Sequence, residues 1–301
     1  MTAESLVEAA PAADESPVDP APAEASAAGV MEAPDHAGSG RLGQAARAVL
    51  RPRRLASVAG LGGLFGLWEL YVRLAGVKPI ILPAPSRVAL HLVSNLGFYL
   101  DNARTTLAEA GLGFVIALAV AMAVATTMVH WPLVERASWP VIVLIQSTPV
   151  VVLAPVFMIW LGFGPWPKVL VAALFTFVPF VSNAVTGLRS IDADAHRVLR
   201  SVNASRWQVF WKLRLPSALP ALFAAARFCV SLALVGAVVG ELYTGSTRGL
   251  GYQTRIAQTR SLIDQIWGSI FTLAAIGVIA TLITIAIEHR VLRWHPSRAN
   301  P

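Results

Sequence analysis

The stretch Ile191–Leu219, IDADAHRVLRSVNASRWQVFWKLRLPSAL, is polar and basic and lies between two long apolar runs. Asp192 or Asp194 can cap a short helix, because apolar residues follow them at helical spacing. Asn203 stands where the chain must turn, and Asn adopts the left-handed conformation more readily than other non-glycine residues. The stretch therefore predicts a first short helix followed by a tight turn.

A second helix is predicted directly after this turn. Ser205 and Gln208, three residues apart, form a capping-box pattern, and we expect the helix to end before Leu215–Pro216. An amphipathic helix–turn–helix between two spans favours docking of a partner outside the membrane. The alternative is a solvated loop whose charges only set the topology, and these residues alone leave both open.

The composition of the whole chain is that of an integral membrane protein. Of 301 residues, 55% are hydrophobic and 14% are charged, and the mean hydropathy is +0.62. Residues 1–40 carry eight acids and no Lys or Arg, which predicts a disordered tail without the features of a signal peptide. The basic residues of the remaining chain lie beside apolar runs, which favours a lipid bilayer as partner and not nucleic acid.

Six runs are each about as long as the 20 residues that cross a bilayer core. Two of these runs contain Pro149, Pro155 and Pro179, which predict kinks. The first contains Glu69 and Arg73 in the i, i+4 order of a structural ion pair. The predicted spans are Leu55–Gly76, Ala103–Val129, Trp139–Leu161, Lys168–Leu188, Ala218–Leu242 and Gln265–Glu288.

The distribution of Lys and Arg predicts the orientation of these spans. With both termini inside, 15 of the 24 basic residues lie on the cytoplasmic side, six of them in the loop 189–214. The loop 243–264 fits less well, because it carries three Arg on the predicted outer side. We expect it to form an amphipathic helix on the outer surface.

Four polar residues within the spans are candidates for a translocation pathway: Gln146, Asn183, Arg227 and Glu241. Arg227 lies about ten residues into its span and favours either an anion pathway or a structural salt bridge. Glu241, near the outer end, is interpreted as a snorkelling group or a helix terminus. Gln146 and Asn183 either line the pathway or form interhelical hydrogen bonds.

The chain lacks the known signatures of catalysis. No GxxxxGK[ST] motif occurs, so ATP hydrolysis would require a separate subunit. The six His residues have no metal-ligand spacing, and neither H-E-x-x-H nor G-x-S-x-G is present. Gly249–Gly251 is interpreted as a turn. We therefore predict no catalytic residue, no metal and no cofactor.

The helix–turn–helix resembles the coupling loop of ABC importer permeases, whose pattern is E-A-A, three residues, G, nine residues and I-x-L-P. Leu213, Leu215 and Pro216 occupy the I, L and P places, and Asn203 occupies the Gly place. Arg197–Leu199 stands where E-A-A is expected. The spacing is intact, but the contact surface differs from that of the family.

The resemblance extends over about residues 78–295 and is closest to the nitrate/sulfonate/taurine-type branch. The matching segments occur in the family's order along the chain. They are Leu82–Ser86, the spaced residues Pro149, Pro155, Trp160, Gly162, Gly164 and Lys168, then Gly187–Ser190, Ala204–Gln208, Gly240–Glu241 and Gly249–Tyr252.

The resemblance implies an all-α type I ABC importer permease-like fold with six transmembrane helices in a bacterial cell membrane. The coupling helix–turn–helix, 191–216, would lie between spans four and five of a permease domain, 55–294, flanked by cytoplasmic tails 1–54 and 295–301. The partners would be a second permease copy, a cytoplasmic ABC ATPase dimer and an extracytoplasmic solute-binding protein. The expected ATPase-coupling residues are Arg197, Val198, Leu199, Arg200, Val202, Asn203, Ser205, Arg206, Val209, Phe210, Leu213 and Pro216.

Two other classes compete with this interpretation. An ion-coupled secondary transporter would need carboxylates near the middle of the bilayer, and the spans place none there clearly. A membrane-embedded enzyme would need a nucleophile or a metal cluster. The substrate stays open between a sulfonate, taurine or nitrate-like anion, which Arg227 favours, and a pyrimidine or riboflavin-like heterocycle, which Gly236–Glu241 favours.

Overall fold

A computed structural model describes residues 52–293, with side chains from residue 59 onward, and its regular structure in this range is entirely helical. A π-helical turn, Phe210–Arg214, joins α8 to α9. The chain divides after Ser57, and the packing described below belongs to the part from Val58 onward. The helices are α1 Pro52–Leu74, α2 Pro85–Ser94, α3 Leu96–His130, α4 Pro132–Ser147, α5 Val150–Leu161, α6 Trp166–Arg189, α7 Ala193–Ser201, α8 Arg206–Val209, α9 Leu215–Tyr243, α10 Leu250–Thr259 and α11 Ile263–Val291.

Both predicted tails fall outside the described residues, apart from the first residues of α1. The predicted disorder of residues 1–40 and the C-terminal tail 295–301 therefore stay predictions. The predicted ion pair at the end of α1 is confirmed, with Arg73 Nη2 lying 2.6 Å from Glu69 Oε1. Glu69 also accepts hydrogen bonds from the backbone N–H and the hydroxyl of Ser86. These bonds tie the start of α2 to the end of α1.

Helix α6 packs against both α3 and α9 at the centre of this unit. Small residues permit this packing: a Cβ atom on Gly113 of α3 or on Gly236 of α9 would lie only 2.6 Å from an atom of Ala172 in α6. Close backbone approach of this kind is how membrane helices gain van der Waals contact. The largest buried cluster includes Ala121, Ala125, Met128, Phe180, Leu188, Ala218 and Cys229 from these three helices.

The third predicted span, Trp139–Leu161, is wrong as a single continuous helix. Helices α4 and α5 meet at an angle of 98°. The chain breaks at Thr148 and Pro149, where Thr148 has the extended backbone (ψ 127°) that a following proline favours. Pro149 also has no N–H with which to continue the helix. The hydroxyls of Ser147 and Thr148 donate to carbonyls one turn back in α4.

Among the residues that the structure describes with side chains, four helical segments are long and apolar enough to cross a membrane: α3, α6, the continuous helix Arg206–Tyr243, and α11. The bent pair α4–α5 makes a fifth if it counts as one span. Helix α1 coincides with the predicted first span, and the total of six stays a prediction. The most apolar part of α11 contains no buried residue, so its apolar surface is open to lipid or to another chain.

The predicted amphipathic helix in the loop 243–264 is present as α10, which packs against α9 and α11. Leu250 and Ala257 point into the protein and are fully buried. The interpretation of Gly249–Gly251 as a turn holds only for Gly249, whose φ is +109°. Leu250 and Gly251 already belong to α10.

Candidate functional site

The predicted local signals of the segment 191–216 are confirmed. The Asp192 side chain caps α7 by accepting a 2.8 Å hydrogen bond from the Asp194 N–H. Asn203 adopts a left-handed conformation with φ +53°. Ser205 and Gln208 form both bonds of the capping box at the start of α8.

The prediction that the second helix ends before Leu215–Pro216 is wrong. The chain is helical from Arg206 to Tyr243 without interruption. In the π-helical turn the Leu215 N–H donates to the Phe210 carbonyl, five residues back. This change of register places Pro216 in the first turn of α9, where the missing N–H and the ring are tolerated. The second helix of the segment is therefore continuous with a membrane-spanning helix.

This segment carries an exposed apolar face. Val198 of α7 and Val202, directly after α7, are 64% and 68% exposed, and Trp207 and Trp211 are 69% and 50% exposed. The two Trp rings lie 5.5 Å apart, centroid to centroid, in an edge-to-face arrangement. Apolar side chains this exposed on short, capped helices are typical of a surface that another protein covers.

The predicted apolar anchors divide into two groups in the structure. Val209 is only 8% exposed, and Phe210 packs on the main buried cluster. Leu199 and Leu213 are half-buried. Sequence reasoning missed Trp207 and Trp211; their i, i+4 spacing on a predicted helix was the available signal.

Three predicted arginines border this face. Arg197, Arg200 and Arg206 are exposed, and Arg197 Nη2 lies 2.7 Å from Asp194 Oδ1 on the same helix. Both partners of this pair are more than three-quarters exposed, so the pair contributes little to stability.

Gln146 lies at a cavity formed by the broken helix pair. The cavity has a volume of about 520 Å³, a size typical of small-ligand pockets. Thr148 and Pro149 line it from the break, and Phe175 and Ser182 line it from α6. Backbone that is not helical within a membrane is tolerated where it is buried in protein or lines a water-filled space.

The other candidate pathway residues are not brought to this cavity. The Asn183 Nδ2 atom donates a 2.9 Å hydrogen bond to the Pro179 carbonyl of its own helix. The Arg227 guanidinium forms a two-bond ion pair with Glu288 of α11. Glu241 lies fourteen residues beyond Arg227 on α9, about 21 Å along the helix axis.

The interpretation of Glu241 as a snorkelling group is wrong, although the residue does lie in the last turn of α9. Its side chain is fully buried and accepts hydrogen bonds from the Thr106 hydroxyl at 2.7 Å and from the Gly251 N–H at 2.6 Å. Thr106 in turn accepts from the Leu250 N–H. These bonds join α3, α9 and the first turn of α10, and so satisfy N–H groups that begin α10.

A buried ion pair lies next to this network. Lys168 Nζ lies 2.8 Å from Glu109 Oε1 and donates to the Ser246 hydroxyl at 3.0 Å. Lys168 begins the predicted fourth span, and both charged side chains are less than a tenth exposed. Glu109 was not identified as important from the sequence, because nothing in the local pattern relates it to a residue 59 positions away.

The described residues contain no arrangement suited to metal or thiol chemistry. No group of three or more His, Cys, Asp or Glu side chains in residues 59–293 is placed to hold a metal ion. Cys229 is fully buried, with its Sγ atom 3.7 Å from the Thr176 carbonyl oxygen. The structural features of interest are therefore the exposed loop face and the cavity at the helix break.

A family model described as "Binding-protein-dependent transport system inner membrane component" matches residues 113–294. The riboflavin transport system permease protein RibX of Chloroflexus aurantiacus is 37% identical over 78% of this chain and 88% of that protein. The formylaminopyrimidine transport permease protein ThiX of Halalkalibacterium halodurans is 31% identical, over 77% and 92% respectively. The taurine transport system permease protein TauC of Escherichia coli is 28% identical, over 79% and 89%.

Two solved structures have a similar fold. One, an amino acid ABC transporter, aligns with a TM-score of 0.53 at 17% identity, covering 68% of this chain and 97% of that chain. The other, the MetNI methionine ABC transporter in an inward-facing conformation, aligns with a TM-score of 0.51 at 18% identity, covering 66% and 95%. At this identity the likeness concerns the fold alone.

Proposed function

This chain belongs to the family of binding-protein-dependent transport system inner membrane components, and from that premise we propose how it works as the permease subunit of an ATP-driven ABC importer. Two copies form the pathway, a separate ATPase dimer docks on the segments 191–216, and a solute-binding protein delivers the solute from outside. Both termini lie in the cytoplasm, an orientation that the bias of Lys and Arg supports.

The observation that carries this proposal is the exposed apolar face on a rigid helix. Trp207 and Trp211 are exposed on a helix that continues to Tyr243 without a break. A force applied to this face by the ATPase would therefore move α9 as a lever, because a continuous helix transmits displacement and a flexible loop does not. The main chain of the loop is fixed by the Asp192 and Ser205 caps.

We place the translocation pathway beside the broken pair α4–α5. Gln146 is exposed at the break, and the adjoining cavity is lined by polar Thr148 and Ser182 as well as apolar side chains. Interrupted helices often form solute sites in transporters, because the break supplies backbone and polar groups within the membrane.

Thiol accessibility tests this pathway. Cys229 is fully buried, so the unmodified chain should react little with a water-soluble, membrane-impermeant thiol reagent. Gln146→Cys should react because it faces water in the pathway, whereas Val115→Cys, which is exposed on α3 but should face lipid, should not. Equal reactivity of the two variants would contradict the proposed location.

For the substrate we propose a flat heterocycle of the pyrimidine or flavin class. The two heterocycle permeases are 31% and 37% identical to this chain, against 28% for the taurine permease. The argument for an anion is weakened because the Arg227 charge is already matched by Glu288. A sulfonate is the second candidate, since relatives named for taurine and aliphatic sulfonates also match over most of their length.

The decisive experiment is reconstitution of this chain in proteoliposomes with its cognate ATPase and binding protein. The ATPase rate is measured with formylaminopyrimidine, hydroxymethylpyrimidine, riboflavin, taurine, an alkanesulfonate and nitrate. We expect stimulation by a heterocycle and none by nitrate. Stimulation only by taurine or the sulfonate would favour the second candidate.

The same preparation separates this proposal from an ion-coupled transporter. The buried carboxylates Glu109 and Glu241 are engaged in the bonds that hold α3, α6, α9 and α10 together, so we assign them a structural role. Solute uptake should require ATP and should persist when an ionophore removes ion gradients. Uptake driven by a gradient without ATP would contradict the importer proposal.

A further inference from the structure

A second cavity lies at the helix–turn–helix and shares Arg200 and Arg206 with the border of the exposed apolar face. Its volume is about 400 Å³, and it is formed by the end of α3, by α7, by α8 and by the π-helical turn that leads into α9. Five of its eight lining residues are basic or imidazole side chains: His130, His196, Arg200, Arg206 and Arg214.

The positive charge of this cavity is not balanced locally. No Asp or Glu lines the cavity. The seven ion pairs found among the side chains of residues 59–293 include none of Arg200, Arg206 and Arg214. By contrast, Arg197 on the same helix, outside the cavity, is paired with Asp194. Three arginines converging without a carboxylate repel one another, and a bound anion relieves that repulsion.

An imidazole in the same cavity is also incompletely bonded. The Nδ1 atom of His196 is buried and has no hydrogen-bond partner in the described part of the chain. A buried polar atom without a partner costs about 1–3 kcal/mol unless a ligand or solvent satisfies it. His130 is different, because its Nδ1 lies 2.7 Å from the Thr126 carbonyl oxygen and so carries the proton of that bond.

We propose that this cavity binds a phosphate group, carried either by a membrane lipid or by a free phosphorylated solute. Arginine forks bind phosphate oxygens in pairs, and a phosphate offers enough oxygens to engage several guanidinium groups and an imidazole at once. The volume exceeds what a simple halide ion would fill and suits a phosphate with part of the group that carries it.

The location of the cavity in the fold is compatible with a phosphate carried by a lipid and with one carried by a free solute. His130 ends the apolar helix α3, and Arg214 directly precedes the apolar part of the continuous helix Arg206–Tyr243, so the cavity lies where two apolar helical stretches end. Lipid headgroups are expected at the ends of apolar spans, and basic pockets between helices at this depth bind them. The binding assay below uses the permease without its ATPase, so the inference does not depend on the docking proposed above.

The test uses the full-length permease, purified in detergent and stripped of lipid. One arm measures binding of inorganic phosphate and pyrophosphate by calorimetry. The other arm counts dioleoyl phosphatidylglycerol and dioleoyl phosphatidylcholine adducts by native mass spectrometry. The variant Arg200→Gln/Arg214→Gln removes two charges from the cavity, and Arg197→Gln/Lys212→Gln removes two charges from the same segment outside it.

We expect the cavity variant to weaken binding at least about tenfold, while the matched control changes it by less than about twofold. Binding in the first arm identifies a free phosphorylated solute, and selective phosphatidylglycerol adducts identify a lipid; either supports the proposal. No binding in both arms, or equal losses in the two variants, overturns it. If the double variant does not fold, Arg200→Gln alone replaces it, because Arg200 is exposed.

Discussion

Gly249 illustrates how a single residue fixes the segment between α9 and α10. Its φ of +109° lies in a region that side-chain-bearing residues rarely adopt. A Cβ atom there would also overlap the carboxylate of Glu241. The Gly249 N–H donates to the Asn102 side chain, and the next residues donate to Thr106 and Glu241. The glycine therefore allows the chain to approach closely enough for these bonds to form.

We expect Gly249→Ala to lower the stability of the protein by at least about 2 kcal/mol, through backbone strain and loss of this approach. Gly111→Ala is the matched control, because Gly111 is helical and a Cβ atom there meets no atom within 4 Å. Thermal unfolding in detergent, followed by Trp fluorescence, measures both. An equal effect of the two substitutions would contradict the role assigned to Gly249.

At the scale of elements, the π-helical turn Phe210–Arg214 and the break at Pro149 have opposite consequences. The π-helical turn absorbs Pro216 and keeps the helix continuous from Arg206 to Tyr243. At Pro149 no such change of register occurs, and α4 and α5 meet at 98°. Proline alone therefore does not decide whether a helix ends. Proline has no N–H to donate, and the helix continues past it only where the preceding turn changes its hydrogen-bond register.

The exposed face of the helix–turn–helix gives a prediction about partner binding. Trp207→Asp should abolish co-purification with the ATPase but leave thermal stability unchanged, because Trp207 is 69% exposed. Phe210→Asp is a poorer test, since Phe210 packs on the buried cluster and its substitution should also destabilise the protein.

Trp131→Asp is the matched control for this prediction. Trp131 is also an exposed tryptophan, 57% accessible, but it lies at the turn between α3 and α4, outside the segment 191–216. It should retain the ATPase in a pull-down assay. Loss of the ATPase in both variants would show that any charge introduced on this side disrupts assembly.

At the scale of the whole molecule, charge is divided sharply along the chain. Residues 1–40 contain eight acids and no Lys or Arg, whereas Arg47, Arg51, Arg53 and Arg54 immediately precede the body of the first span. The basic group is expected to hold the N-terminus in the cytoplasm, and the acidic tail has almost no large apolar side chains with which to pack. Deletion of the acidic tail and replacement of the basic residues should therefore have different effects.

We expect deletion of residues 1–40 to leave ATP-dependent uptake in proteoliposomes unchanged. Replacement of Arg47, Arg51, Arg53 and Arg54 by Gln should instead lower the fraction of correctly oriented protein, as measured by protease protection of an N-terminal tag in cells. Loss of uptake on deletion of the acidic tail would assign the tail a partner or a regulatory role.

The sequence by itself determined the features that depend on near neighbours in the chain. A cap at Asp192 or Asp194, a left-handed Asn203 and the Ser205–Gln208 capping box were predicted; Asp192 forms the cap, and the other two features are present. Each involves backbone groups at most three residues away, so local pattern is sufficient. The apolar runs and the spaced family motifs likewise identified a membrane-spanning importer permease, confirmed by the family match over residues 113–294.

Only the tertiary structure decided which distant residues meet. Arg227 pairs with a carboxylate 61 positions away, and Glu241 binds Thr106 across 135 positions. It also decided that Trp207 is exposed while nearby Val209 is buried. The physical reason is that the spacing of apolar residues along the chain identifies the apolar face of a helix. It does not identify which other helix packs against that face. The neighbour depends on which backbones approach closely, as α3 and α9 both do against α6 through Gly113 and Gly236.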